Sequence, residues 1–196
     1  MDLVFATHNP NKLKEVKLLV PKSVRLLSLA DINCTEEIPE TATTLEGNAW
    51  LKANYVAKNY GYPCFADDTG LMVEALDGAP GVHTARYAGE HRSADDNMDK
   101  LLENLESKSN RKASFITVIA MNLPQEEKTF IGEVKGVITT EKRGSEGFGY
   151  DPVFLPDGFD KTFAELPLEI KNTVSHRARA LQQFVTYLKK LKYINK

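Results

Sequence analysis

The stretch L-V-F-A-T-H-N-P-N-K-L-K-E-V-K-L-L-V, residues 3–20, decides the fold class. Leu3 to Ala6 is a short apolar run, Thr7 to Asn11 is polar, and Leu13, Val16 and Val20 recur at i, i+3, i+7. The run suits a buried strand and the recurrence an amphipathic helix, so the segment reads strand, loop, helix. Outward from it, Val24 to Leu29 reads as a second strand. Thr44 opens a helix with Ala49, Ala53, Val56 and Tyr60 on one face, stopped by Gly61 and Pro63. A third strand, Cys64 to Ala66, runs into Asp67-Asp68-Thr69-Gly70, and Ser93 introduces a helix through Leu101, Leu102 and Leu105.

Ala113 to Met121 is apolar on both faces and reads as a central strand, whereas Phe130 to Ile138 alternates; the two pair as a hairpin across Asn122 to Lys128. A glycine-rich loop, G-S-E-G-F-G-Y-D-P, fills 144–152, and Ser175 caps a last helix with Ala178, Leu181, Val185 and Leu188 inward. Helices and strands mix with both crossover and hairpin connections. The expected class is α/β, a long mixed sheet with flanking helices, in two lobes of a single domain over 1–196 with the site between them.

The 196 residues are 42% hydrophobic, enough for a sizeable core. Lys+Arg 25 nearly balance Asp+Glu 27, and the net charge of -2 gives no global attraction to nucleic acid or an anionic membrane. Phosphate recognition must then be local. No window approaches the roughly 18 apolar residues of a membrane span and no export signal opens the chain, so a soluble, cytoplasmic protein is expected. The two cysteines, Cys34 and Cys64, lack metal-ligand spacing and read as reduced structural thiols.

Four constellations carry chemistry. Thr7-His8-Asn9-Pro10-Asn11-Lys12 joins strand to helix, where backbone N–H groups, the helix dipole and Lys12 attract phosphate; the same residues also suit ordinary N-capping. Asp67-Asp68-Thr69-Gly70, with Glu36, Glu37, Glu40 and Glu46 upstream, offers carboxylates from different segments. Such a pair suits Mg²⁺ bridging phosphate oxygens, and one of them can accept the proton of an attacking water. The D-T-G triplet is shared with aspartic proteases, but it occurs once and follows the charged Asp67.

Phe148-Gly149-Tyr150-Asp151-Pro152 combines close backbone approach, a stacking face and a carboxylate for a base edge. Lys171 with Ser175-His176-Arg177 adds a phosphate-reaching lysine and two donors for base carbonyls.

In order and spacing the chain resembles the inosine triphosphate pyrophosphatase family. The shared motifs are T-x-N-x-x-K at Thr7 to Lys12, E-x-N-A-x-x-K-A at Glu46 to Ala53, A-D-D-T-G-L at Ala66 to Leu71, G-A-P-G-V-H-T-A-R-Y-A-G at Gly78 to Gly89, G-F-G-Y-D-P at Gly147 to Pro152, and S-H-R at Ser175 to Arg177. Each is short, but six in the family's order span nearly the whole chain. The resemblance implies an elongated mixed β-sheet with flanking helices, two lobes with the nucleotide cleft between them, and a homodimer. It implies Mg²⁺-dependent hydrolysis of ITP, dITP and XTP to the monophosphate and pyrophosphate.

By the same resemblance, Thr7, His8, Asn9, Pro10, Asn11 and Lys12 would hold the triphosphate. Asp68 would bind Mg²⁺ and accept the water's proton, and Thr69 would touch substrate. Phe148, with Gly149 and Tyr150 beside it, would stack on the purine, Asp151, His176 and Arg177 would read its edge, and Lys171 would lie between base and phosphates. Of Glu36, Glu37 and Glu40, Glu40 is favoured as second metal ligand. His8 stands where many relatives have Gly, and Thr69 where Ser is commoner. A Maf-type pyrophosphatase and a non-catalytic nucleotide-binding regulator are the rival readings; the F-G-Y-D and S-H-R motifs and the intact Asp68 argue against them.

Overall fold

The computed structural model describes residues 1–191. The fold is α/β with a mixed sheet of seven strands. These are β1 (Asp2–Phe5), β2 (Arg25–Leu27), β3 (Cys64–Val73), β4 (Pro80–Gly81), β5 (Lys112–Leu123), β6 (Glu126–Ile138) and β7 (Phe154–Pro156). The order is β2-β1-β3-β5-β6-β7, with β4 on β3; β1 runs parallel to β2 and β3, whereas β3–β4 and β6–β7 are antiparallel. The helices are α1 (Pro10–Lys17), α2 (Leu45–Tyr60), α3 (Ala94–Asn104), α4 (Leu168–Val174) and α5 (His176–Lys190).

The chain divides into two compact units. The first holds residues 1–68, 117–132 and the described chain from Arg177 onward; the second holds 69–116 and 133–176. Strands β3, β5 and β6 supply residues to both.

In the first unit the pleat of β1 and β3 sends alternate side chains to opposite faces. Leu3, Phe5 and Phe65 join Ile119, Met121 and the α5 residues Leu181, Phe184 and Leu188 on one face. Val4, Ala6, Cys64 and Ala66 join Ala49, Ala53 and Val56 of α2 on the other. Phe65 stacks on Phe5 with centroids 4.7 Å apart and meets Phe184 at the same distance, so the α5 face is aromatic where the α2 face is small-residue. Both cysteines are buried free thiols in the α2 face.

The same alternation places the acidic pair. Continuing one residue at a time, Asp67 falls on the face of Phe65 and Asp68 on the face of Ala66. The strand was expected to end at Ala66, but it runs on to Val73. Consecutive aspartates disfavour a strand by composition; here both find cationic partners, so the ladder continues through them.

The second unit packs Leu71, Val73, Leu101, Leu105, Phe115, Val134, Ile138, Phe154 and Phe163 into one core. Ser93 caps α3 by accepting from Asp96 N, 3.2 Å, as its position before the apolar period requires. Pro124 and Gln125 alone join β5 to β6, a tighter hairpin than the expected span from Asn122 to Lys128. Helix α4 was not expected; it is one short stretch closed by Ser175, whose N–H donates to the Lys171 carbonyl.

Candidate active site

At the mouth of β1, Asn9 caps α1. Its Oδ1 accepts from Asn11 N at 2.9 Å and Lys12 N at 3.3 Å, Thr7 Oγ1 accepts from Asn9 N at 3.2 Å, and Pro10 takes the first helical turn. Two of the backbone N–H groups expected to face phosphate are thus used by the cap. The exposed His8 ring hydrogen-bonds through Nε2 to the Glu36 carbonyl, 3.0 Å, and His8 does not adopt the left-handed backbone of a glycine.

Lys12 turns its ammonium onto Asp67, with Nζ 2.9 Å from Oδ1. The other Asp67 oxygen accepts from Arg177 Nε at 3.0 Å, and Arg177 Nη1 also pairs with Glu15. Asp67, Arg177 and Glu15 are all buried, so each charge exists only because the next one matches it. Burial alone would raise the Asp67 pKa, but Lys12, Arg177 and Lys52 together hold it well below the ordinary carboxylate range. Burial lowers the Lys12 pKa against the pull of Asp67.

On the opposite face of β3, Asp68 meets α2. Asn48 Nδ2 donates to Asp68 Oδ2 at 3.1 Å, while Asn48 Oδ1 accepts from Ala42 N at 2.9 Å. Lys52, one turn on, places Nζ 2.5 Å from Glu40 Oε1 and 3.9 Å from Asp68 Oδ1. One cation therefore reaches both carboxylates. Burial raises the Asp68 pKa despite Lys52 and Lys12, which suits a proton acceptor. Glu36 is taken up by the hydroxyls of Tyr55 and Tyr60, and Glu37 is exposed. Glu40 is thus the member of the upstream trio that shares a cation with Asp68.

These residues fit a magnesium ion. Mg²⁺ takes one or two protein carboxylates and completes its octahedron with water and substrate phosphates. Among the described residues no group of three or more His, Cys, Asp or Glu is arranged as an all-protein metal cage, so water and, with substrate bound, phosphate oxygens would complete the shell.

In the second unit the glycine-rich loop folds around Asp151. Asp151 Oδ2 accepts from Phe148 N at 2.8 Å and from Lys171 Nζ at 2.7 Å, and that ammonium lies 4.7 Å from the centre of the Phe148 ring. Gly147, at φ +77°, leaves the room: a Cβ there would sit 2.1 Å from Asp151 Oδ2. Gly149, at φ +64°, supplies the next reversal. Lys171 and Asp151 are both buried, a matched pair with an aromatic face beside it. Tyr150 is also buried and its hydroxyl donates to the Thr84 carbonyl at 2.9 Å, which fixes the loop to the segment after β4. His176 stacks on Phe115 with centroids 4.5 Å apart and rings tilted by 15°. Thr69 opens this unit's part of β3, half-buried.

Three members of these clusters were given no role from sequence, Glu15, Asn48 and Lys52, and Asp67, grouped there with Asp68 as a carboxylate for metal, is taken up by Lys12 and Arg177. Asn48 and Lys52 carried a signal, since both lie at i, i+4 on the α2 face otherwise made of Ala49, Ala53 and Val56. Both are buried there. Glu15 carried none, because its partner Arg177 lies 162 positions away.

The sequence profile of the Ham1 family matches residues 3–187. The chain is 60% identical over 188 residues to a protein of Flavobacterium johnsoniae named dITP/XTP pyrophosphatase, covering 96% of this chain and 98% of that one. A Bacillus subtilis protein of the same name is 47% identical over 93% of this chain and 94% of its own. Among solved structures, the HAM1 protein from Coxiella burnetii superposes with a TM-score of 0.91 at 38% identity, over 97% of this chain and 100% of that one. The motifs, the fold and near-complete coverage agree: this chain belongs to the Ham1 family.

Proposed function

We propose that this protein is a magnesium-dependent nucleoside triphosphate pyrophosphatase that hydrolyses the non-standard purine nucleotides ITP, dITP and XTP to the monophosphate and pyrophosphate, removing damaged purines from the nucleotide pool. The observation that carries the reading is the shared cation: Lys52 pairs with Glu40 at 2.5 Å and lies within ion-pair distance of Asp68, 3.9 Å. Relatives named dITP/XTP pyrophosphatase at 47–60% identity support the substrate class.

Glu40 and Asp68 would hold the metal, which when bound neutralises phosphate charge and makes water more acidic. Asn48 fixes the Asp68 carboxylate, and burial raises its basicity, so Asp68 takes the proton of the water attacking the α-phosphorus. Pyrophosphate leaves as charge passes to its oxygens. Lys12, on the capped turn from Thr7 through His8, Asn9, Pro10 and Asn11, offers its ammonium to that charge, as does Lys52. Asp67, Glu15 and Arg177 keep the Lys12 ammonium in place.

Phe148 offers its ring to the purine and Lys171 lies over that ring. Gly149 and Tyr150 shape the loop, Thr69 adds a hydroxyl, and Asp151, His176 and Arg177 read the base edge. A keto purine has an acceptor oxygen at C6 where adenine has an amino group. A donor aimed there would be left unpaired by ATP at a cost of about 1–3 kcal/mol. We further propose that the chain works as one domain in the cytoplasm, as a homodimer; no helix among the described residues is long and apolar enough to cross a membrane.

The test is pyrophosphate release with Mg²⁺ from ITP, XTP, GTP, ATP and dTTP in parallel, with Asp68→Asn as control. Preference for ITP and XTP, abolished in the variant, is expected. Equal turnover across the panel would point to a Maf-like activity, and ITP binding without turnover to a regulator.

A further inference from the structure

The segment from Asn33 to Thr44 carries Glu40 without any helix or strand of its own, so something else must set where that carboxylate stands. Cys34 and Ile38 drop into the α2-side core and anchor its first half. At its far end Ala42 N donates to Asn48 Oδ1, 2.9 Å. Between the two core anchors is Glu36, which has several polar ties. Tyr60 and Tyr55, both on α2, donate their hydroxyls to Glu36 Oε1 at 2.6 and 2.8 Å, and Thr35 N donates to Oε2 at 3.1 Å. The His8 ring meets the Glu36 carbonyl at 3.0 Å. One residue thereby joins the turn that carries Lys12, the segment that carries Glu40 and the helix that carries Asn48 and Lys52.

We infer that Glu36 is a positioning residue for metal binding: gripped by Tyr55 and Tyr60 and joined to His8, it holds the 33–44 segment so that Glu40 shares a cation with Asp68. A lone exposed glutamate would have no reason to spend two tyrosine hydroxyls, which water would otherwise serve. Charge-assisted O–H···O⁻ bonds of this length are the strong kind, and two on one oxygen fix the carboxylate in direction as well as distance. The Tyr60 hydroxyl, the residue's own N–H and the Tyr55 hydroxyl hold the Glu36 carboxyl at about 2, so it stays ionised at any working pH. Thr35, Glu36 and Glu37 are exposed, so without the grip the stretch between the Cys34 and Ile38 anchors would be free to swing, and the segment that leads to Glu40 would be tied to α2 at fewer points.

The inference rests on the reading of Glu40 and Asp68 as metal ligands, and the experiment separates the two. Mn²⁺ is titrated into the full chain without nucleotide and followed by electron paramagnetic resonance, for the parent, Glu36→Ala, Glu36→Gln, the double variant Tyr55→Phe/Tyr60→Phe, and Glu40→Gln. Groups that orient a metal ligand are worth about 10- to 100-fold in affinity, and Glu36→Ala should fall at the low end, about tenfold weaker. The double variant, which removes only two oxygens and keeps the rings in place, should weaken binding in the same direction. Glu36→Gln, whose amide oxygen still accepts both hydroxyls, should recover most of the loss. In turnover, the Mg²⁺ concentration for half-maximal rate should rise while kcat at saturating Mg²⁺ stays near the parent value. Parent-like Mn²⁺ binding in Glu36→Ala and in the double variant, with Glu40→Gln impaired, would overturn the inference and leave the metal reading standing. Parent-like binding in Glu40→Gln would overturn the metal reading and the inference with it.

Discussion

The groups proposed for phosphate and those proposed for the base are built from different materials. In the first unit they are charges on regular elements: Lys12 on α1, Asp67 and Asp68 on β3, and Asn48 and Lys52 on α2, while Arg177 on α5, proposed for the base edge, also holds Asp67. In the second, Phe148 and Asp151 lie on or beside a loop in which Gly144, Gly147 and Gly149 all have left-handed φ, and only Lys171 and His176 come from helices. The difference follows from the ligands each would meet. A triphosphate is a concentration of charge, and cations near it must be held apart from one another by matched anions on rigid supports. A purine is a flat ring, and a backbone without side chains can come close to its face.

The first region can be broken most severely at Asp68. Asp68→Asn keeps the Asn48 contact but removes proton acceptor and metal ligand, and kcat should fall about 10³-fold with the fold intact; circular dichroism and pyrophosphate release check this. Asp67→Ala attacks the same strand from its other face and should act on stability instead. The buried Arg177 would keep Glu15 but lose Asp67, and the half-buried Lys12 would lose the same carboxylate, at a cost of about 3 kcal/mol by urea denaturation. Two adjacent aspartates with opposite consequences would be a direct reading of the β3 pleat. In the second region Gly147→Ala would push a methyl into Asp151 at a left-handed φ, so the KM for ITP should rise about tenfold while denaturation moves less than in Asp67→Ala.

A subtler test uses acid. The folded-state pKa of Asp67 is depressed, so its ion pairs stabilise the fold above the ordinary carboxylate value of about 3.9 and that contribution is lost as pH falls through the folded value. Melting temperatures of the parent should drop through that window more steeply than those of Asp67→Asn, which has nothing to titrate there.

The elements with local punctuation were legible in the sequence. Thr44 accepts from Gly47 N at 3.0 Å to start α2, and Gly61 ends it at φ +71°, both signalled by residue type alone. Ser93, the apolar period of α5 and the β5–β6 hairpin were equally readable. The course of β3 was not, because the run D-D-T-G has the composition of a turn; only partners 20, 55 and 110 positions away, Asn48, Lys12 and Arg177, make it a strand. Glu40 could be favoured but not separated from Glu36 and Glu37 by spacing. The separation comes from Tyr55 and Tyr60, which occupy Glu36, and from Lys52, which pairs with Glu40. His8 and Tyr150, grouped with the substrate residues by their motifs, direct the contacts described above to Glu36 and Thr84.

The division of labour between charge and ring is tested most directly by calorimetric binding of pyrophosphate with Mg²⁺ and, separately, of inosine, to the parent, Lys12→Ala and Phe148→Ala. Lys12→Ala should weaken pyrophosphate and leave inosine unchanged, and Phe148→Ala should weaken inosine by about 1–3 kcal/mol and leave pyrophosphate unchanged. If Lys12→Ala impairs inosine, or Phe148→Ala impairs pyrophosphate, to the same degree as its own ligand, the assignment of phosphate to one set of residues and base to the other is wrong.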